Sequence, residues 1–507
     1  MRIRKVASRR CASGAVSVAA ILCLLLGAEA IASEKGHGVA SSLRTSGDKL
    51  IDKTLRDEAL SQTRVEILSL DECIQKGIKN NFQVQANRKL VEQSEWNLIA
   101  ARRQWYPSLS MSSAIYGGYT SFQESLINSG GSTSTFLSSG ASYNAYEQFS
   151  PALSVTWYFA NPAIPPSINS ALAELKAQRF TYDYILRGII LQIQTAYINV
   201  QSSLRLVDAY KKIYASNKQQ VDYLEAQLSK GMVDIGAVAQ SKTTMYQQLA
   251  SLVQYQQTLA NQGIQLAQLI GYKDKTVIIP NVGLTRAREW EVSLEESISR
   301  AINAREEIKQ YLQTADSYKW QARQLLSSYV PALYLTYNGS INETSGCLNV
   351  SSKQFCPNTP STNNTWSNSI SLGVTWNIDG GQNMANANAN KKAADANVKL
   401  AENQETLVAQ QIKSAFSQYK IYGVGIDLAE RQLKSATLNS DVSAERLRVG
   451  VGDITTVVQA QQLLSSAVQT EVQALQQFNI AIAQLNRYAA MLPEGVSPEV
   501  LLGESNE

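Results

Sequence analysis

Apolar residues recur every seven positions along two long stretches of the chain. The first series is Leu186, Ile193, Val200, Val207, Tyr214, Val221 and Leu228. The second series is Ile412, Tyr419, Ile426, Leu433 and Leu447, with Ser440 as the one polar interruption. An apolar seam sustained over so many heptads indicates helices that pack against each other as coiled coils, and not single buried core helices.

Proline placement allows both helices to be very long. No proline occurs from Ser167 to Ile279 or from Ser361 to Leu492, and a proline inside a helix costs about 3 kcal/mol or more. The two seams therefore predict rods of about 65 residues, which at about 1.5 Å per residue are roughly 100 Å long. Behind each rod, a second proline-free pattern of apolar residues and glutamines predicts a partner helix.

At the other end of each rod the apolar pattern changes to a period of two. The alternating positions are Leu109, Met111, Ile115 and Tyr119; Leu153, Val155, Trp157 and Phe159; Leu333, Leu335 and Tyr337; and Ile370, Leu372, Val374, Trp376 and Ile378. They predict four strands of about ten residues, each with one apolar face, and polar loops at roughly 120–150 and 338–368. Such strands suit either a transmembrane sheet or a soluble antiparallel sheet.

The two sets of elements are copies of one plan. LSLDECIQ at 68–75 matches VSLEESIS at 292–299, and LSVTW at 153–157 matches LGVTW at 372–376. This internal repeat predicts two tandem units at 67–288 and 289–492, each with a helix, a β-hairpin, a long helix, a tip turn and a second helix. A polar extension at 33–66 precedes them, and a tail at 493–507 follows.

Glycine and aspartate mark the point where each rod ends. QLSKGMVDIGAVAQSK at 227–242 matches RLRVGVGDITTVVQAQ at 446–461. Gly231 and Gly450 are placed to take the left-handed conformation that ends a helix, and Asp234 and Asp453 to cap the next one. The pattern predicts the tip of an antiparallel helical hairpin, made twice. The ending and capping of helices account fully for these glycines and aspartates, so their chemistry alone implies no ligand.

Four strands are too few to close a barrel, which needs about eight or more. Open strand edges in lipid would leave backbone groups unpaired, at a cost of several kcal/mol each. If the strands span a membrane, the chain must therefore assemble, and two or three copies would suffice. A closed ring of strands continued by a ring of helical hairpins is a tube.

Residues 1–32 have the features of a secretory signal peptide, with a basic start, an apolar core at 15–28 and small residues beyond it. A retained membrane helix is the alternative, but the apolar core is short for one. Removal of this segment takes five of the 46 basic residues and one of the 42 acidic residues, which leaves 41 of each. A chain so close to neutral gives no indication of a nucleic-acid partner.

The sequence offers little for catalysis or metal binding. His37 is the only histidine, and no glycine-rich phosphate loop, nucleophile elbow or metal-ligand spacing occurs. We therefore predict no enzyme, no catalytic residue, no metal and no cofactor, although a catalytic carboxylate pair cannot be identified from sequence. Cys347 and Cys356, in an exported polar segment, predict a disulfide, with two free thiols as the alternative. Cys73 is expected to be a buried small residue.

Taken together, these features resemble the TolC-like outer-membrane efflux proteins over about residues 67–492. The resemblance is carried by LSLDECIQKGIKNN at 68–81, by the turns Tyr106-Pro107 and Tyr329-Val330-Pro331, by the VTW strand ends, and most specifically by the duplicated stretch that begins RLRVGVGDITTVVQAQQ at 446. It implies a mainly α-helical fold in which antiparallel coiled-coil helices form a periplasmic tunnel and four transmembrane β-strands per chain contribute to a 12-stranded trimeric barrel.

The resemblance also implies a function and partners. The homotrimer would be a passive outer-membrane exit duct for efflux or type I secretion, surrounded by outer-membrane lipid. It would dock a periplasmic adaptor and an inner-membrane pump through its tip turns, which contain Gly231, Asp234, Gly450, Gly452 and Asp453. Arg446 and Arg448 precede the second turn, where they either complement the helix dipole or contact a partner.

Constriction residues follow from the same resemblance. A family member known for an acidic gate has aspartates at the positions of Ala237, Thr456 and Gln459, and Gln240 is the counterpart of Gln459 in the first repeat. This chain has no carboxylate at any of the four positions. We therefore expect an uncharged constriction lined by Thr456 and Gln459.

A trimeric coiled-coil surface adhesin or scaffold with a β anchor is the competing interpretation. A stalk usually gathers its anchor at one end of the chain, whereas here a predicted strand pair lies inside each repeat. This interleaving favours the duct. An exported enzyme is a third interpretation, and the sequence shows no site that would support it.

Overall fold

The computed structural model describes residues 64–120, 143–274, 276–350 and 361–491. The predicted signal peptide, nearly all of the extension, the tail and Cys356 lie outside these residues. The helices are α1 Leu70–Asn80, α2 Phe82–Arg103, α3 Ile164–Ser229, α4 Ile235–Leu269, α5 Leu294–Ala304, α6 Glu306–Leu326, α7 Gln382–Arg448 and α8 Ile454–Tyr488. The strands are β1 Arg64–Leu68, β2 Ser108–Thr120, β3 Tyr143–Ala160, β4 Thr276–Pro280, β5 Ala332–Val350 and β6 Ser361–Thr375.

Two successive sets of elements follow the same order: two helices, two strands, a long helix and a shorter helix. Each set opens with an 11-residue helix, α1 or α5, capped by a serine. Ser69 Oγ accepts from the backbone N–H of Glu72, and Ser293 Oγ accepts from that of Glu296. A serine in the extended conformation satisfies a backbone donor that the first turn leaves unpaired. The predicted repeat is thus visible in local structure.

The predicted rods are confirmed as α3 and α7, with 66 and 67 residues. Pro165 and Pro166 stand in the first turn of α3, where their missing N–H groups cost nothing. Along the seams, Ile193, Val200 and Ile412 are fully buried. Each long helix packs along a shorter partner, α3 against α4 and α7 against α8, and α8 also packs against α3. The architecture is a pair of long helical hairpins that lie side by side.

Strands β2, β3, β5 and β6 form an antiparallel sheet in that order. Its register aligns the alternating positions across the sheet, as in the row Leu109, Val155, Tyr337 and Ile370. The adjacent row, Ser110, Ser154, Asn338 and Ser369, lies on the opposite face. One face of the sheet is therefore apolar near the helices, and the other face is polar.

The strands are longer than the apolar pattern predicts, with 13, 18, 19 and 15 residues. The loop prediction is accordingly wrong at 143–150, 338–350 and 361–368, which belong to β3, β5 and β6. The segments 338–350 and 361–368 are rich in Ser, Asn and Thr, and the backbone ladder continues through them because its hydrogen bonds do not require apolar side chains.

A tryptophan fixes each junction between helix and strand. Trp157 Nε1 donates to the carbonyl of Trp105 at 2.9 Å, and Trp376 Nε1 donates to that of Tyr329 at 3.1 Å. Both acceptors lie two residues before the turn proline. The same device holds the start of β2 to the end of β3 and the start of β5 to the end of β6.

Candidate functional site

The first hairpin tip connects α3 to α4. The chain turns at Gly231, whose φ is +70°, and the N–H of Met232 donates to the carbonyl of Gln227 at 3.0 Å. This hydrogen bond from beyond the glycine closes the last turn of α3. Asp234 then caps α4, because its Oδ2 accepts from the N–H of Gly236 at 3.0 Å.

The second tip, between α7 and α8, repeats this geometry. Gly450 has φ +79°, and the N–H of Val451 donates to the carbonyl of Arg446 at 3.0 Å. Asp453 Oδ2 accepts from the N–H of Thr455 at 3.1 Å. Gly452 lies against the end of α7, since a Cβ there would lie 2.7 Å from the N atom of Leu447. Both tip turns are therefore backbone-defined.

Replacing Gly450 with alanine is expected to lower the free energy of unfolding by about 1 kcal/mol, because alanine disfavours a positive φ. The matched control is Gly425→Ala in the interior of α7, where nothing lies within 4 Å of the added Cβ. That control should raise stability by about 0.5–1 kcal/mol, because alanine is the better helix former. Thermal unfolding of both variants measures the difference, and equal shifts would contradict the assigned turn geometry.

A compact apolar cluster joins the two tips. It consists of Leu224, Val238, Ile454, Val457 and Val458, with Ala237 and Leu447 packed against it. Beside this tip cluster, Tyr223 Oη donates to the carbonyl of Arg448 at 3.2 Å. The cluster and the hydrogen bond hold the ends of the two hairpins together as one unit.

The tips expose apolar side chains to solvent. Met232 and Ile235 are 69% and 71% exposed at the first tip, and Val449 and Val451 are similarly exposed at the second. Sequence analysis did not identify these four apolar residues as a surface, because they lie at the turns and follow no helical or strand period. An exposed apolar group at the end of a rod is typical of a contact surface.

The two arginines at the second tip differ in their surroundings. Arg448 donates to Glu445 from Nε at 2.8 Å and from Nη2 at 2.6 Å, and this pairing lowers the pKa of Glu445. Arg446 is exposed and has no ion pair within the described residues. Of the two, Arg446 is thus the cation available to a partner.

The four predicted constriction positions lie in two environments. Thr456 and Gln459 are exposed on the first turns of α8, while Ala237 and Gln240 are half-buried on α4. None of the four brings a charge, and their role at a constriction stays a prediction.

Long apolar stripes run along the outer edges of both hairpins. On the half of α7 nearest the tip, the exposed apolar residues are Ile421, Val424, Leu428, Leu438 and Val442, on the side opposite the seam. On α4, beyond its first turn, they are Tyr246, Val253 and Ile264. We call these the α7 stripe and the α4 stripe. The spacing of seven between Ile421 and Leu428 was available in the sequence, but the stronger seam masks it.

Polar side chains cross the contact between the hairpins above the tip cluster. Gln469 Nε2 donates to Tyr210 Oη at 2.6 Å and to Tyr255 Oη at 2.7 Å. Burial raises the pKa of Tyr210 to about 12, so this hydroxyl stays protonated. Farther from the tip, Gln476 Nε2 donates to Asn199 Oδ1 at 2.8 Å. Amides and hydroxyls thus align α8 with α3.

A buried ionic cluster closes the upper end of this contact. Arg187 Nε lies 2.7 Å from Glu306 Oε1, and Arg487 Nη2 lies 3.6 Å from Glu307 Oε1. Arg305 pairs with Glu307 as well. The cluster links α3, α6 and α8, which are far apart in sequence.

Asp183, beside this cluster, has an altered acidity. Burial and the nearby Glu306 raise its pKa to about 6. Because the folded pKa lies above the unfolded value, folding is penalised as pH rises from about 4 to about 6. Asp183→Asn should remove a penalty of about 3 kcal/mol at pH 7 and only a small part of it at pH 4. Thermal unfolding at both pH values tests this, and a benefit independent of pH would contradict it.

Chemistry-bearing groups are sparse elsewhere. No group of His, Cys, Asp and Glu within the described ranges could hold a metal ion. None of the described helices combines the length and hydrophobicity needed to cross a bilayer. Cys73 is fully buried, and burial raises the pKa of its thiol to about 12. The backbone of Cys347 lies in β5, but Cys356 is outside the described residues, so the disulfide stays a prediction.

Several known proteins are similar to this chain in sequence or in fold. The family model described as outer membrane efflux protein matches residues 73–272 and 297–490. The outer membrane channel CmeC of Campylobacter jejuni is 16% identical with a TM-score of 0.64, over 86% of this chain and 88% of that chain. The outer membrane protein VceC of Vibrio cholerae is 14% identical with a TM-score of 0.63, over 83% of this chain and 96% of that chain. The outer-membrane channel OprN is 15% identical with a TM-score of 0.63, over 83% of this chain and 89% of that chain. No curated protein matches the sequence significantly.

Proposed function

Because the chain belongs to the outer membrane efflux protein family, we propose that it is the passive exit duct of a tripartite efflux or type I secretion system. The protein lies in the outer membrane with its helical tunnel in the periplasm. Its sheet then meets lipid through the apolar face, and its hairpin tips point toward the inner membrane.

The sheet supports assembly into a homotrimer. Strands β2 and β6 are the outer strands of a four-stranded sheet, and neither has a second strand neighbour among the described residues. Such edges cannot remain open in lipid, because their backbone groups would lack partners. Three copies would supply twelve strands and pair every edge.

The helices support the same assembly. Helices α3 and α8 pack against each other, and each also packs against its hairpin partner. In this layer of four helices, α4 and α7 are therefore the two outer members. Both edges carry apolar stripes that would otherwise face water. If the α7 stripe of one copy packs on the α4 stripe of the next, the hairpins close into a ring and both stripes are buried.

The function needs no catalytic group. A water-filled path through the ring lowers the barrier for a solute, and an inner-membrane pump supplies the energy. The exposed apolar residues at the tips and the cation of Arg446 would meet a periplasmic adaptor. Opening would separate the tips around Thr456 and Gln459, which present hydroxyl and amide groups to the solute.

The observation that carries this proposal is the combination of an apolar-faced sheet with open edges and two hairpins with apolar edges. Purified oligomer in a planar lipid bilayer should give a steady single-channel current. A folded oligomer with no current would favour the adhesin or scaffold and overturn the duct. Export in cells by a tip variant, such as Val449→Asp with Val451→Asp, should be lost while the bilayer current remains, because only docking is impaired.

A further inference from the structure

A small cavity lies between α3 and α8, next to the buried ionic cluster. Its volume is about 10 Å³, and the residues that line it include Arg187, Ile190, Leu191, Gln194, Asn486 and Arg487. We call it the arginine cavity. A cavity that holds one water molecule measures roughly 10–15 Å³. This one therefore admits a single small particle and excludes phosphate, sulfate and organic ligands.

Both arginines of the cavity have an N–H donor without an acceptor. The Nη1 atoms of Arg187 and Arg487 are buried, and neither makes a hydrogen bond to any residue that the structure describes. Arg487 is only 7% exposed, so bulk water does not solvate its guanidinium. A charged donor that is buried unpaired retains its full desolvation cost. One acceptor in the cavity could pair with both donors.

The nearby carboxylates contact these arginines mainly through other nitrogen atoms. Arg187 Nε lies 2.7 Å from Glu306 Oε1, and Arg487 Nη2 lies 3.6 Å from Glu307 Oε1. Glu306 Oε2 lies 3.8 Å from Arg487 Nη1, which is too far for a hydrogen bond. Neither glutamate lines the cavity. The Nη1 donors therefore remain available to a ligand there.

The charges around the arginine cavity do not balance. The buried ionic cluster has three guanidinium groups and two carboxylates, from Arg187, Arg305, Arg487, Glu306 and Glu307. Beside it, Asp183 and Lys309 contribute one charge of each sign at neutral pH, and Arg179 is paired with Glu95. One positive charge is thus in excess, and an anion in the cavity would neutralise it.

Arg487 shows the effect of this excess. Burial lowers the pKa of its guanidinium; Glu307 and Glu306 oppose this shift, whereas Arg305 and Arg187 reinforce it. The two glutamates therefore do not compensate fully for the burial of the cation. A water molecule in the cavity would accept the N–H groups but bring no charge. An anion would do both, and hydrogen bonds between two charged groups are the stronger kind.

We propose that the arginine cavity binds a single chloride ion. A monatomic anion is the class of anion that suits so small a volume. Asn486 is only half-buried, so its side chain can shift slightly to admit chloride, which is somewhat larger than water. The ion would accept from Nη1 of both arginines and so tie α3 to α8. This site does not depend on the proposed export function, because neither ring closure nor docking enters the argument.

Thermal unfolding of the detergent-solubilised protein tests the proposal, in equal concentrations of sodium chloride and sodium gluconate. Gluconate is too large for the cavity, so the Tm should be about 1–3 °C higher in chloride. Asn486→Asp supplies a carboxylate at the cavity from the chain itself, and this variant should lose the difference between the two salts. Gln219→Glu is the matched control. It makes the same exchange of amide for carboxylate on the exposed surface of α3 and should keep the wild-type difference.

Crystals soaked in sodium bromide locate the ion directly. An anomalous peak in contact with Nη1 of both arginines is expected in the wild type and not in Asn486→Asp. An ordered water at this place in both salts, with no anomalous peak, would overturn the proposal. So would a wild-type Tm no higher in chloride, or the same difference between the salts in Asn486→Asp as in Gln219→Glu. A bromide peak without any dependence of the Tm on chloride would show an adventitious ion only.

Discussion

Replacing Arg487 with leucine is expected to lower the free energy of unfolding by about 3–5 kcal/mol. Arg487 is 7% exposed, and its guanidinium lies 3.8 Å from Glu306 and 3.6 Å from Glu307. Its guanidinium carbon also lies 5.1 Å from the centre of the Tyr184 ring. Removal of the guanidinium leaves the buried carboxylates of Glu306 and Glu307 with one arginine each, and leucine cannot donate to them in its place. Chemical denaturation of the detergent-solubilised protein measures the loss.

An exposed ion pair provides the matched control. Arg179 lies 2.7 Å from Glu95, but both side chains face solvent. Arg179→Leu should therefore cost less than about 1 kcal/mol. If Arg487→Leu is as mild as the control, the cluster does not stabilise the helical junction.

Replacing Leu428 with aspartate is expected to abolish assembly and, with it, channel current. Leu428 is 63% exposed in the single chain and lies in the middle of the α7 stripe. In the proposed ring it would be buried against the next copy, so each of three contacts would acquire a desolvated carboxylate. The ratio of oligomer to monomer should fall at least about 100-fold at equal protein concentration. Size-exclusion chromatography with light scattering measures it.

The control places the same charge on the opposite face of α7. Thr437 is exposed and lies nine residues from Leu428, which at 3.6 residues per turn puts it half a turn around the helix, so Thr437→Asp should leave the oligomer intact. Both variants should retain the helical content of the wild type, because neither position packs in the seam. A Leu428→Asp protein that still assembles and conducts would show that the α7 stripe is not the interface.

The long helices were predictable because their information is local. A heptad seam such as Ile193, Val200 and Val207 repeats within one stretch of chain, and the absence of proline removes the main alternative. The capped turns were predictable for the same reason, since Gly450 and Asp453 act on backbone groups within a few residues.

Features that depend on distant pairings were not predictable. The strand lengths were underestimated because the Ser- and Asn-rich ends of β5 and β6 are held by each other, and side-chain hydrophobicity does not record that pairing. The ionic cluster brings Arg187, Glu306 and Arg487 together from three helices, and charged residues at such separations look like ordinary surface positions in a sequence.

The exposed stripes and the apolar sheet face have a consequence for biogenesis. Before its sister copies arrive, a newly exported chain presents both surfaces to the periplasm, where they attract other unfolded chains and proteases. Insertion into lipid covers only the sheet, and the proposed assembly into a ring covers only the stripes. Safe maturation therefore requires a holding chaperone or concurrent insertion and assembly, so overproduction without added chaperone capacity should yield aggregate in place of channels.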